Sequence, residues 1–255
     1  MSKISLQIKP DKFNEFSKKL EDLCKISDII KLKIDSENIL MYSIVGETIL
    51  IAFKSYIIKT NDFFEFKNEL ESVLDIVIAG SKKFVKNLGF IKTSEKIQID
   101  IDTRKNDDNI LNARFLQIKN GKFKLGVQGG ESFEIRDISK DVLDKRVDIK
   151  NEKWSFKVKK EEFQDIKKLS NINSEGKLLH LNSDNGKILL SEMSSWEYQV
   201  DELEISDKHL MFNKSFLSSI NDNFDYIQFH VFDSFILTKD DESYLMLSFE
   251  TSFEE

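Results

Sequence analysis

A chain of 255 residues is long enough for two domains of ordinary size, and its charged fraction of 33% indicates a globular protein. No apolar run approaches the roughly 18 residues that a membrane helix needs, and the alternating stretch Met1–Pro10 lacks the continuous apolar core of a signal peptide. The net charge of −7 excludes a protein that binds nucleic acid over its whole surface, but it allows a small basic surface on an acidic body. The single cysteine, Cys24, excludes an internal disulfide and suits a reducing cytoplasm.

A strand followed by a helix is predicted at the start of the chain, and the same pair recurs in its second half. Ser5–Lys9 and Ser155–Lys159 both alternate apolar and polar residues, as half-buried strands do. Each is followed by apolar residues three and four positions apart, which predicts a helix with one apolar face. These residues are Phe13, Phe16, Leu20 and Leu23 in the first copy and Phe163, Ile166 and Leu169 in the second. The copies are offset by 150 residues, the difference between Phe163 and Phe13.

Two strands joined by a tight turn are predicted after each of these helices. The first pair is Ile30–Ile34 and Ile39–Ile44, and the second is Leu178–Leu181 and Ile188–Leu190. The connecting residues, 35–38 and 182–186, supply the Asp, Asn and Gly that hairpin turns favour.

A weaker copy of the same pattern is predicted within each half. In the first half it comprises strand Leu74–Ile78, helix Ser81–Leu88 and strand Lys96–Ile101. In the second half it comprises His209–Phe212, the short helix Lys214–Ile220, and strands Tyr226–Val231, Ser234–Leu237 and Tyr244–Phe249. The first turns of the four helices carry Phe13, Phe84, Phe163 and Phe216. A unit of strand, helix, strand and strand is therefore expected four times.

The stretch between the two halves is predicted to be a connector. Glu131–Lys150 has mixed charge and few apolar residues, so we expect it to lie over the surface. It divides the chain into domains at 1–130 and 151–255. The stretch Asn61–Ser72 has Phe63, Phe66 and Leu70 at helical spacing and predicts a short additional helix.

This order of elements, over nearly the whole chain, resembles the sliding clamps of the proliferating-cell-nuclear-antigen and tailed-phage type. The resemblance implies an α+β fold of duplicated clamp domains, with antiparallel sheets outside and helices lining a ring. It also implies a non-enzymatic processivity factor that encircles double-stranded DNA without reading its sequence and tethers the replicative DNA polymerase. Two domains per chain and six per ring favour a homotrimer over a dimer. If the source is a bacteriophage, the protein would act in the host cytoplasm.

Three segments carry the closest resemblance. They are Ile39–Ile51 with a polar break at 46–48, the connector, and Tyr244–Phe249 followed by an acidic end. By resemblance, the polymerase and the clamp loader would dock short hydrophobic peptides in an apolar pocket between these segments. The implied pocket residues are Ile44, Val45, Ile49, Ile135, Ile138, Leu247 and Phe249. The chain departs from the family in the insertion Asn61–Ser72 and in its fourth helix, where Lys214 is the prominent basic residue.

Lysines on the four helices are the candidate DNA-facing residues, because flexible, hydrated point charges hold phosphates without reading sequence. The set is Lys12, Lys18, Lys19, Lys25, Lys82, Lys83, Lys86, Lys160, Lys167, Lys168 and Lys214. The stretch Ser81–Ser94 contains no acid, whereas the helices at Lys12 and Lys160 also carry Glu and Asp. The alternative is that these lysines form ordinary solvated helix faces, paired with acids one turn away.

Subunit contacts would use edge strands, one from each domain. The candidates are Ile118–Val127 in the first domain and a strand near Ile188–Glu192 in the second.

An enzyme would need a site, and the sequence offers little support for one. The glycines at 126–130 lack the Lys-Ser/Thr of a phosphate-binding loop. His180, His209 and His230 are far apart in sequence and lack metal-ligand spacing. We therefore expect no catalytic residues, metal or cofactor. Two alternatives remain open: a structural ring-forming virion or assembly protein, and a metal-dependent nuclease or transferase using Asp100 and Asp102, which a strand with one wet face also explains.

Overall fold

The computed structural model describes the chain except for residues 1, 47–50, 68–69, 131–134, 173–177, 193–194, 204–207, 222 and 252–255. The chain forms two compact units. The first comprises Met1–Ile44 and Lys54–Lys140, and the second comprises Val45–Phe53 and Asp141–Glu255. The chain passes from one unit to the other after Ile44, after Phe53 and after Lys140, and the last of these positions lies within the stretch predicted to be a connector.

The first unit contains two successive copies of the strand–helix–strand–strand pattern. The first copy and its extension are β1 (Ser2–Ile8), α1 (Pro10–Leu23), β2 (Ile29–Ile34), β3 (Asn38–Val45), β4 (Ala52–Lys59), α2 (Thr60–Phe63) and β5 (Phe64–Phe66). The second copy is β6 (Leu74–Ala79), α3 (Ser81–Leu88), β7 (Ile97–Lys105), β8 (Leu111–Asn120) and β9 (Phe123–Gln128).

These strands form one sheet in the order β4-β3-β2-β6-β8-β7-β1-β5, with β9 paired to β8. Strands β6 and β8 run parallel, but they meet only at Leu74↔Leu111 and Asp75↔Asn112 before they diverge. The end of β9 enters this gap, where the N–H of Gly130 donates to the carbonyl of Val77 at 2.8 Å. In the described part of the chain β9 has β8 as its only strand partner, so its other side is an edge.

Helices α1 and α3 pack on the same face of this sheet. Alternate strand residues such as Ile76, Ile78 and Ile99 join Phe13 of α1 and Phe84 of α3 in one buried cluster. Alternation leaves the residues between them on the opposite face. The helices therefore cover one face, and the other carries mainly polar side chains.

The second unit repeats the pattern with two sheets. Its first half contains α4 (Lys140–Arg146), a 3₁₀ helix (Ile149–Asn151), β10 (Trp154–Lys159), α5 (Lys160–Ile172), β11 (Leu178–Asp184), β12 (Lys187–Glu192) and β13 (Trp196–Glu202). Its second half contains β14 (Lys208–Asn213), a 3₁₀ helix (Lys214–Ser219), β15 (Tyr226–Val231), β16 (Phe235–Lys239), β17 (Ser243–Ser248) and β18 (Glu250–Thr251). The sheet orders are β10-β15-β16-β17 and β13-β12-β11-β14-β18.

Aromatic packing holds α5 against β10 and β15. The rings of Phe156 and Phe229 stack with centroids 4.8 Å apart, and Phe163 lies 6.2 Å from Phe229. Phe163 and Ile166 are fully buried, as the helical spacing predicts. In the 3₁₀ helix Lys214–Ser219 the buried residues are Leu217 and Ser219, and Phe216 is half-buried.

The predicted α+β fold of duplicated strand–helix–strand–strand units is confirmed, but two segments differ from expectation. The insertion at 61–72 forms the single turn α2 and the strand β5, which pairs with β1 through Phe64↔Ile8. Phe63 at the end of α2 and Phe64 at the start of β5 are both buried, so the apolar residues of this insertion belong to a strand as well as to a helical turn.

The predicted connector is more firmly held than a surface segment. Ile135 and Leu143 are buried, and Asp137 forms ion pairs with Lys31 at 2.6 Å and Lys33 at 2.9 Å. The hydroxyl of Tyr42 donates to the carbonyl of Arg136 and accepts from the N–H of Ile138, both at 3.1 Å. These bonds fix the connector to the polar face of the first sheet.

Candidate nucleic-acid interface

The basic helix α3 is positioned by a turn that comes directly before it. Gly80 adopts the left-handed region with φ of +68°, which glycine tolerates at no steric cost. The N–H of Lys82 donates to the Asp28 carboxylate at 2.7 Å, and the N–H of Ser81 donates to the Asp28 carbonyl at 3.0 Å. Asp28 therefore satisfies two N–H groups at the start of α3 and ties this helix to the turn that leads from α1 into β2.

The three lysines of α3 occupy two different ridges. Ser81, Phe84 and Leu88 are buried, while Lys82, Lys83 and Lys86 are exposed. At 100° per residue, Lys82 and Lys86 share the ridge most distant from the core, and Lys83 shares a ridge with Asn87 on one flank.

The flank of Lys83 faces a groove beside the edge strand β9. The groove has a volume of about 520 Å³, and Lys83, Asn87, Leu125 and Val127 are among its lining residues. Leu125 and Val127 are only half-buried, so the apolar layer is incomplete at this edge.

Ion pairing divides the predicted DNA-facing lysines into two groups. Among the described residues, Lys18, Lys82, Lys83, Lys86 and Lys160 have no carboxylate within ion-pair distance. The others have identified contacts: Lys12 and Lys19 with Glu15 (3.0 and 3.5 Å), Lys25 with Asp22 (3.0 Å), Lys168 with Asp165 (2.9 Å), Lys214 with Glu192, and Lys167 over the Phe163 ring (4.8 Å). The acid-free helix α3 thus presents the densest group of unpaired cations on a predicted helix.

Lys214 differs from the rest because its ion pair is buried. Its side chain is 12% exposed, and that of Glu192 is 2% exposed. Glu192 also accepts from the Trp196 indole N–H at 3.2 Å. Glu192 and Lys214 lie 22 residues apart on different elements, so no local pattern in the sequence signals this pair.

The residues predicted to line the partner pocket differ in exposure. Ile135, Leu247 and Phe249 are buried, and Ile44 and Ile138 are half-buried. Val45 is 37% exposed. Ile49 lies outside the described residues.

Asp100, one of the two acids named for the nuclease alternative, accepts hydrogen bonds from its neighbours on the sheet. It accepts from Lys119 at 2.5 Å, from Ser5 at 2.6 Å and from Gln98 at 2.9 Å. Burial alone would raise the pKa of this carboxyl, but these donors outweigh burial and hold the pKa well below its ordinary value. Within the described chain, no cluster of three or more His, Cys, Asp or Glu side chains could hold a metal ion.

Two histidines that are distant in sequence meet in space. His180 on β11 and His209 on β14 place Nδ1 and Nε2 2.8 Å apart, which allows one shared proton. His230 lies elsewhere, 2.5 Å from Glu152. Cross-strand register, not sequence spacing, creates the His180–His209 pair.

Across the described residues, no helix has the length and apolar character to cross a membrane.

No protein-family model and no curated protein sequence matches the chain. Solved structures do match its fold. The sliding clamp of Bacillus subtilis aligns with a TM-score of 0.66 and 10% identity over 100% of this chain and 66% of that chain. The Helicobacter pylori β clamp bound to a DNA ligase peptide aligns with a TM-score of 0.63 and 14% identity over 100% and 68%.

A third match, the PCNA2–PCNA3 complex of Sulfolobus tokodaii, aligns with a TM-score of 0.59 and 14% identity over 98% of this chain and 99% of that chain. The chain therefore spans about two thirds of the bacterial clamps and nearly all of the Sulfolobus chain. The fold is that of the DNA sliding clamps. These matches give no support to the virion-protein or nuclease alternatives.

Replacing Lys214 by Ala should destabilise the second unit, because Glu192 would remain buried without its cation. Loss of one partner of a buried pair costs about 3–5 kcal/mol, whereas Lys82→Ala at an exposed position should stay within about 0.5 kcal/mol. Urea unfolding followed by fluorescence measures this in the second unit, which holds both tryptophans, Trp154 and Trp196. Equal midpoints for the two variants would show that the Lys214–Glu192 pair does not support the fold.

Proposed function

We propose that the protein is a DNA sliding clamp, a ring of identical chains that encircles duplex DNA and tethers a DNA polymerase without catalysing a reaction. The observation that carries this proposal is the acid-free helix α3 on a sliding-clamp fold. Its exposed lysines lie on the helix-covered side of the sheet, the side that lines the hole in the ring implied by the resemblance. The proposed place of action is the cytoplasm, that of the host if the source is a virus.

The charge distribution supports weak, sequence-independent contact with DNA. Lys82 and Lys86 form a ridge of hydrated point charges with no hydrogen-bonding fork to fix their register on phosphates. The net charge of −7 repels DNA from most of the remaining surface. Encirclement then accounts for long residence on DNA, while each contact stays weak enough to slide.

Two structural units per chain support a ring of three chains, since the resemblance implies six domains per ring. Such a ring is head-to-tail: each chain offers two different edges, and each edge meets the other kind on its neighbour.

The first edge is β9 with its groove. The two-residue turn at Gly121–Lys122 makes Asn120↔Phe123 the first hydrogen-bonded pair, so the main-chain groups of Lys124, Gly126 and Gln128 point away from β8. This edge carries the exposed Lys124 and, on its helix side, Lys83.

The second edge is β13, which is the terminal strand of its sheet. The expectation of an edge near Ile188–Glu192 is wrong, because β12 lies between β11 and β13 and its main chain is paired on both sides. Glu162 and Asp165 of α5 lie near Tyr198 of β13. Burial is the largest cause that raises the pKa of the Tyr198 phenol, and the negative charges of these two acids raise it further. Glu197 on β13 is exposed, so this edge is acidic where the β9 edge is basic.

We further propose that polymerase and loader peptides dock at the apolar residues implied by the resemblance, from Ile44 and Val45 to Leu247 and Phe249. The Helicobacter pylori clamp was solved with a DNA ligase peptide, which supports peptide docking on this fold.

The double variant Lys82→Ala/Lys86→Ala should weaken retention on DNA while the mass of the assembly is unchanged. Encirclement is tested by retention on a nicked circular duplex, measured before and after the circle is linearised. Phosphate contact is tested by the slope of log affinity against log salt, whose magnitude should fall by about 0.9 for each phosphate that the variant no longer neutralises. Lys12→Ala/Lys168→Ala removes the same charge from ion-paired positions and serves as the matched control. Retention of the Lys82/Lys86 variant equal to that of the wild type would contradict the DNA-facing assignment of α3.

Charge reversal tests the proposed contact between edges. Lys83→Glu with Lys124→Glu, or Asp165→Lys with Glu197→Lys, should each place like charges across every subunit interface and shift the mass toward the single chain. All four changes in one chain restore opposite charges and should restore the assembled mass, which light scattering reports. If the four-fold variant assembles no better than either pair alone, the proposed alignment of β9 with β13 is wrong.

A further inference from the structure

A second cleft, of about 630 Å³, adjoins the α3 groove and shares Gln128, Gly129 and Gly130 with it. The ends of β7 and β9, the start of β8 and the turn between β7 and β8 line it. Asp102 and Arg104 alternate with the core residue Ile101 and the buried Thr103, so they belong to the sheet face opposite the helices. Neither the DNA-facing ridge nor the predicted peptide pocket includes any residue of this cleft.

A β-bulge brings two arginines to this cleft. Strand β7 pairs Asp102 with Phe115 but Thr103 with Ala113, which leaves Arg114 as the extra residue of β8. Arg104 pairs with Asn112 beside it. Bulges re-aim side chains, and this one places Arg114 in the lining that also contains Arg104.

The wall of the cleft opposite the arginines consists of the main chain around Gly129, which a hydrogen bond holds in place. The N–H of Gly129 donates to the carbonyl of Arg114 at 2.9 Å. A Cβ at position 129 would lie 2.1 Å from the carbonyl oxygen of Ala113, so the close approach requires glycine. The wall is therefore held against the bulge, which limits how far the cleft can close or spread.

The use of arginine here stands out in a chain that otherwise uses lysine. Only four of its 38 basic residues are arginines, and two of these four line the cleft. Both are exposed, and the described residues include no ion-pair partner for either. A guanidinium differs from an ammonium in its planar fork, which binds a carboxylate or a phosphate through two parallel hydrogen bonds.

The surroundings favour carboxylates over a nucleic-acid backbone. Asp102 and Asp107 line the cleft beside Arg104, Arg114 and Lys105, so repulsion limits the density of negative charge that it can bind. A peptide whose carboxylates are spaced apart fits this pattern better than a continuous row of phosphates does. The amides of Asn106, Asn112 and Gln128 can bind peptide groups between separated carboxylates. The duplex, under the proposed function, contacts the helix-covered face and not this one.

We propose that this cleft binds an acidic segment of a protein partner, with Arg104 and Arg114 each clamping one carboxylate. The site goes beyond the proposed function, and only its preference for protein over DNA rests on that function. A partner held here would contact the clamp at a second point, separate from the apolar pocket, and would gain effective concentration from both contacts.

Fluorescence anisotropy with a labelled peptide in which Glu alternates with Gly tests the site on the full chain. The wild type should bind the peptide, and Arg104→Gln/Arg114→Gln should lose about tenfold or more in affinity, since a charged hydrogen bond contributes about that factor. The matched control is Arg136→Gln/Arg146→Gln, which removes the other two arginines and should bind like the wild type. Arg104→Lys/Arg114→Lys keeps the charge but not the fork and should recover less than half of the binding free energy that the Gln variant loses.

Three outcomes would overturn the proposal: no binding of the peptide by the wild type, equal binding by the Gln variant, or full rescue by the Lys variant. Stronger binding of a single-stranded oligonucleotide than of the acidic peptide, with the same dependence on Arg104 and Arg114, would also overturn it in favour of DNA. Gln128 also belongs to the proposed β9 edge, so the titration is repeated on the Asp165→Lys/Glu197→Lys variant, in which no neighbour should cover the cleft. Peptide binding by that variant does not depend on ring closure or on retention on circular DNA, so this site can fail while the clamp function stands.

Discussion

The burial of helix phenylalanines against one sheet face determines where the charged side chains of this protein can lie. Phe13 and Phe84 seal α1 and α3 onto the first sheet, and Phe163 does the same for α5 in the second unit. Since a helix has one buried stripe, each lysine outside that stripe must project away from the sheet. The same packing leaves the opposite sheet face to polar groups such as Lys31, which the connector covers through Asp137.

Charge pairing then separates lysines that look alike in the sequence. Lys214 neutralises the buried Glu192 and serves the fold, while Lys82 and Lys86 meet no acid in the described structure and remain available to a ligand. Lys83, on the neighbouring ridge, belongs to a groove at a sheet edge. One short helix can therefore contribute to two surfaces, because the ridge of Lys82 and Lys86 and the ridge of Lys83 point in directions about 100° apart around the helix axis.

Sequence reasoning recovered the repeated unit well because its signals are local. The sequence predicts a helix at Ser81–Leu88 and a strand at Tyr226–Val231, and α3 and β15 have these bounds. Contacts between distant elements could not be predicted this way. The Lys214–Glu192 pair, the His180–His209 contact and the central position of β12 all depend on which strands become neighbours, and alternation along one strand carries no such information.

The connector and the arginine cleft illustrate the same limit. Glu131–Lys150 has the composition of a surface segment, yet a few residues such as Ile135 and Asp137 find partners on the sheet. Arg114 lies on an ordinary strand in the sequence, and only the bulge opposite Asp102 and Thr103 brings it to the cleft with Arg104. The candidate DNA ridge was predictable because an acid-free stretch on an amphipathic helix is a local feature.

The central claim is that identical chains close a ring, and the most direct test is the mass in solution. Light scattering across a dilution series, with and without duplex DNA, should give a mass near three times 29.8 kDa over a range of concentrations. A single-chain mass at every concentration, also in the presence of DNA, would remove the ring and with it the proposed mode of action.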